Sequence, residues 1–93
     1  MPKAPTHAAH GLKDVYASAM AAMQAGEAAK ALEIFGAIHD ANPKVAEVEY
    51  QIARLFLGFD RFGRALFHAA AAAALAPGQP AVWATYADAV ALE

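Results

Sequence analysis

Apolar residues recur at helical spacing along most of this chain, and prolines and glycines divide it into five stretches. Ala31, Leu32, Phe35 and Ile38 fall on one stripe of a 3.6-residue period, which predicts a helix from Glu27 to about Ala41 with that stripe buried. A preceding helix is expected from Leu12 to about Ala25, stopped by Gly26, because glycine enters the left-handed conformation without steric penalty. A third helix is predicted from Lys44 to Gly58, with Asn42 as its cap and Pro43 in its first turn. After a loop at residues 58–60, a fourth runs from Arg61 to Leu75, with Asp60 as the expected cap. The run Pro77-Gly78-Gln79-Pro80 is a strong break, and a fifth helix follows to Leu92, carrying Val82, Trp83, Tyr86 and Val90. Residues 1–11 hold Pro2, Pro5 and Gly11 without apolar periodicity, and read as a flexible lead-in.

The stretches repeat. Pro43 and Pro77 stand 34 residues apart, and in the same register Gly26 pairs with Asp60, Ala31 with Ala65, and Ala19 with Ala53 and then Ala87. A fixed period of this length marks stacked units that bury their apolar faces only against neighbours. With 28 alanines in 93 residues, alanine matches alone decide little; the prolines, Phe35, Tyr50, Phe56, Phe62 and Trp83 carry the register. On these residues the chain resembles the tetratricopeptide repeat, a helix-turn-helix unit of this period. The likeness covers residues 12–93, as repeats of about 12–45 and 46–79 and a partial one at 80–93. It departs from the pattern at Ala22, where a tyrosine belongs, and at Ile38, where a small residue belongs. The resemblance implies an all-α fold, a right-handed stack of antiparallel helix pairs. Small residues at Ala19, Ala31, Ala53 and Ala65 would let the two helices of a pair approach closely.

Composition narrows the functional classes. The chain has no cysteine, so neither a disulfide frame nor a thiolate metal site is available. A net charge of −2 without a basic face argues against nucleic acid as partner. Arg54, Arg61 and Arg64 form a local basic cluster of the kind usually found on a solvated surface. The longest apolar run, residues 69–77, is far short of the about 20 residues that span a bilayer, and residues 1–10 lack the apolar core of a signal peptide. No membrane association is expected, and the cytoplasm is the expected location.

No catalytic, cofactor-binding or metal-binding set is expected either. Ser18 is the one serine and falls inside the first helix; His7, His10, His39 and His68 do not pair on a helical turn. Glycine is too sparse for a phosphate-cradling loop, and Glu47 and Glu49 point to different faces of one helix.

What remains is a surface. The resemblance implies that the first helix of each repeat lines a concave groove that receives a partner peptide, a helix or a neighbouring domain. The matching positions are Lys13, Tyr16, Met20, Met23 and Gln24, then Glu47, Tyr50, Arg54 and Leu57, then Asp88 flanked by Ala84 and Ala91. Tyrosine and methionine offer large, adaptable contact area, which suits an apolar helix or extended segment. Some family members clamp carboxylates with paired lysine and asparagine residues; Tyr16, Met20 and Tyr50 occupy those places here, leaving Arg54 as the sole cation. Homodimerisation through the alanine-rich fourth helix or the fifth helix is a further expectation. The third repeat follows the template up to Glu93, so continuation of the native chain is expected. The run from Ala76 is also similar to alanine-rich repeats that precede sulfotransferase domains in some bacterial proteins, so one alternative is the front of a larger enzyme. Another is a secretion chaperone of the same repeat class.

Overall fold

Turn chemistry sets where each helix starts and stops. The computed structural model describes residues 11–93, so the expected lead-in, Gly11 excepted, lies outside the described residues. All regular structure among them is helical: α1 Leu12–Gln24, α2 Ala28–Ala41, α3 Ala46–Gly58, α4 Phe62–Leu75 and α5 Pro80–Leu92. The chain divides into two compact units, one ending at Ala41 and one running Asn42–Glu93. In the first, α1 packs on α2; in the second, α3 packs on α4 and α5 packs on both. Short turns join packed neighbours, so each pair runs antiparallel.

The two intra-pair turns are the same motif. Gly26 N–H donates to the Met23 carbonyl at 3.1 Å, and Glu27 N–H to Ala22 at 2.9 Å. Asp60 N–H donates to Leu57 at 3.1 Å, and Arg61 N–H to Phe56 at 2.9 Å. Each pair of bonds is a Schellman closure, which satisfies the last carbonyls of a helix through one left-handed residue. That residue is Gly26 at φ 81 in one turn and Asp60 at φ 60 in the other. Asp60 therefore ends α3 and does not cap α4, whose N-cap is Arg61 with no side-chain cap bond. The closure needs its left-handed residue one position before the helix can start.

Asn42 and Pro43 are also placed differently from the expectation. Pro43 and Lys44 form a turn, and Val45 is the N-cap of α3 in extended conformation (φ −113, ψ 110) with no side-chain cap bond. Proline's fixed φ suits the second position of such a turn, with asparagine before it. The next linker repeats this arrangement. Pro77 and Gly78 form the turn, Gln79 N–H donates to the Ala76 carbonyl at 3.1 Å, and Gln79 caps α5 at φ −101, ψ 112. Pro80 then opens α5, where its missing N–H is harmless.

Alanine is the core residue of close helix contact. Ala19, Ala31, Ala53 and Ala65 are each 0% exposed, as the crossing model requires. Phe35 is the largest fully buried side chain, and Tyr16 of α1 meets it edge-on at 5.5 Å between ring centroids. In the second unit Ala72, Ala73 and Val82 form a cluster against which Tyr50 packs, so this tyrosine ties α3 to α4 and α5.

Candidate functional site

The expected partner-binding residues fall on the outward faces of first helices, spaced three and four residues apart so that each set shares one face. On α1, Lys13 and Gln24 are exposed, and Tyr16, Met20 and Met23 are half-buried. Tyr16 turns part of its ring onto Phe35, which fixes it as a rigid component of that face. On α3, Glu47 and Arg54 are exposed, and Tyr50 and Leu57 are half-buried. The helix brings Glu47, Tyr50 and Arg54 together. The Arg54 guanidinium lies 5.6 Å from the Tyr50 ring centroid, within cation–π range. Gln51 Nε2 donates to Glu47 Oε2 at 3.0 Å, and Arg54 donates to Gln51 Oε1 at 3.0 Å. Gln51 is buried, and these two bonds use both ends of its amide. The result is a train of hydrogen-bonded polar groups along α3 beside an aromatic ring.

The two faces correspond residue by residue in the 34-residue register: Lys13 with Glu47, Tyr16 with Tyr50, Met20 with Arg54 and Met23 with Leu57. Tyrosine is retained, whereas the charges differ. On α5 the matching positions are almost bare, since Asp88 is exposed between exposed Ala84 and Ala91.

Ser18 lies within α1, and its hydroxyl donates to the Asp14 carbonyl one turn back at 3.2 Å. Glu47 and Glu49 do part company: Glu47 is exposed and Glu49 is 4% exposed. The pair of buried Glu49 with half-buried His68 is the feature that sequence reasoning missed. His68 Nδ1 lies 2.5 Å from Glu49 Oε1, tying α3 to α4, and the His68 ring stacks on Phe56 at 5.6 Å. A signal for it was present, because Glu49 aligns with Trp83 and so places an acid where the repeat pattern has an aromatic.

A family model described as tetratricopeptide repeat matches residues 22–89, most of the described chain. The chain belongs to the tetratricopeptide repeat family. Among curated proteins and solved structures, none matches it. Membership in the tetratricopeptide repeat family points to protein partners in general, because these repeats serve typically as scaffolds. No helix among the described residues is long and apolar enough to cross a membrane.

Proposed function

We propose that this chain is a non-catalytic protein-binding module, which holds an apolar helix or extended segment of a partner on the outward faces of its first helices. The observation that carries the reading is the doubled face: Tyr16 and Tyr50, 34 residues apart, are both half-buried and both braced, one by Phe35 and the other by Arg54. A tyrosine held rigid by its neighbours contributes contact area at low entropic cost, the property that makes tyrosine and arginine frequent energetic centres of interfaces. The Glu47–Gln51–Arg54 train supplies directional hydrogen-bond partners beside that ring.

Selection of displayed peptides on the purified chain tests this. Arg54 is exposed, and Arg54→Glu reverses the charge over Tyr50 while removing one hydrogen bond to Gln51. Selected peptides are expected to lose about tenfold in affinity for that variant, equivalent to about 1.4 kcal/mol. Retained affinity in Arg54→Glu and in a Met20→Ala, Met23→Ala double variant would overturn the reading. Circular dichroism of each variant separates loss of binding from loss of fold.

A further inference from the structure

The polar train on α3 has a direction. Glu47, in the first turn, and Arg54, two turns on, are exposed and carry opposite charges, with half-buried Tyr50 between them. Gln51 bonds to the carboxylate and to the guanidinium, each at 3.0 Å, and because its amide is neutral both charges stay whole. The guanidinium, 5.6 Å from the Tyr50 ring centroid, is thus aimed by two neighbours. Seven residues separate the two charges, about 10.5 Å along a helix that rises about 1.5 Å per residue. From its N-terminal end the face reads negative, aromatic, positive. That order belongs to α3, since Lys13 and Met20 take the corresponding places on α1.

We infer that this face of α3 receives an amphipathic helix of a protein partner, antiparallel to α3, with Asp or Glu at i, a large apolar side chain at i+4 and Lys or Arg at i+7. The inference rests on the peptide-binding reading above and narrows it to one backbone form and one charge order. Spacing selects the helix. Two turns of a partner helix set the side chains at i and i+7 on one face at the same separation as Glu47 and Arg54. In an extended segment about 10.5 Å falls three residues on, where alternation has turned the side chain to the opposite face. Charge selects the direction. The partner's acid has to meet Arg54 and its base Glu47. An acid is best placed toward the N-terminus of its own helix and a base toward the C-terminus, so the partner's N-terminus lies at the C-terminal end of α3. In that register i+4 falls opposite Tyr50. A second copy of α3 would satisfy the charges, Glu47 to Arg54 in both directions, but would set Gln51 opposite Tyr50, and Gln51 is buried.

Two isomeric alanine-based helical peptides test it on the full chain by fluorescence anisotropy at low salt, one with Glu, Leu and Lys at i, i+4 and i+7, the other with Glu and Lys exchanged. The first is expected to bind about tenfold tighter, the effect of two attractive against two repulsive exposed pairs. The difference should shrink as salt is added. In a charge-exchanged chain, Glu47→Lys with Arg54→Glu, the preference should reverse, which a difference in peptide helicity alone would not produce. The Gln51 amide has a donor and an acceptor end and serves either order. Should that variant lose helix by circular dichroism, Glu47→Gln and Arg54→Gln, made singly, should each cut the preference to about threefold. Equal binding of the two peptides, or a preference unchanged in all these variants, would overturn the charge register and leave the peptide-binding reading standing. So would binding of neither while displayed peptides do bind; failure of both sets would overturn the reading as well. A native chain found dimeric at the assay concentration and returned to monomer by Arg54→Glu would overturn the separate partner and assign the face to a second copy.

Discussion

The two helix pairs fill the same space with opposite choices. In the first, Ala22 and Phe35 are both buried; in the second, the matching positions are Phe56, half-buried, and Ala69, buried. Large and small have changed places between the two helices of the pair. Each pair has an aromatic contact between its helices, Tyr16 with Phe35 in one and Phe56 with His68 in the other. The repeat therefore conserves the turn geometry and the total volume between helices, and leaves open which helix supplies the bulk. This accounts for Ala22, which departs from the family pattern without leaving the core empty.

Removing the bulk from each pair is the strongest test of that comparison. Phe35 is fully buried, so Phe35→Ala is expected to destabilise the protein by about 3–5 kcal/mol through lost transfer energy and a residual cavity. Phe56 is half-buried and shares its faces with His68 and with Arg64, whose guanidinium lies 5.9 Å from its centroid. Phe56→Ala should cost less, about 1–2 kcal/mol, because part of the ring surface is already hydrated. Equal losses in denaturant melts would break the comparison.

Much of this organisation was legible before the structure. Periodicity and punctuation predicted five helices with ends displaced by no more than two residues, because apolar spacing and left-handed stops are local signals. The caps were less legible: Asn42 and Asp60 have residue types that suit either a cap or a turn, and only the backbone decides. For the Glu49–His68 pair the repeat register marks Glu49 as an acid at an aromatic position, but its partner lies 19 residues away on another helix, so the pairing itself needed coordinates. Which residues share a helix face could be grouped by spacing alone; the contact of Arg54 with the Tyr50 ring required coordinates.

A smaller effect sharpens the comparison at the crossing positions. Ala53 is enclosed and Ala87 is open, although the repeat register equates them. Ala53→Leu should cost about 1–3 kcal/mol by overpacking. Ala87→Leu should change the stability of the monomer by no more than about 0.5 kcal/mol, as exposed substitutions do. The pair of melts, run at a concentration low enough to exclude self-association, reads local enclosure directly. A costly Ala87→Leu would mean that α5 is covered in solution even when the chain is monomeric.

The finest comparison is between the turns, which share hydrogen bonds but differ in one residue. Gly26 sits at φ 81, and a Cβ added there would meet nothing within 4 Å. Gly26→Ala thus isolates the backbone term, and should destabilise by about 1–2 kcal/mol, the cost of holding an L-residue in the left-handed region. Asp60 already bears part of that cost at φ 60. Aspartate tolerates the region better than alanine, and a glycine introduced there also gains entropy in the unfolded chain, so the two contributions to Asp60→Gly oppose each other. The expected outcome is a stabilisation between about 0 and about 1.6 kcal/mol, the difference between about 1–2 kcal/mol of relieved strain and about 0.4–1 kcal/mol of lost unfolded-state restriction. Denaturant midpoints for the two variants should therefore move in opposite directions. A fall in both would show that the Asp60 side chain itself stabilises its turn, and that the two turns share hydrogen bonds without sharing their source of stability.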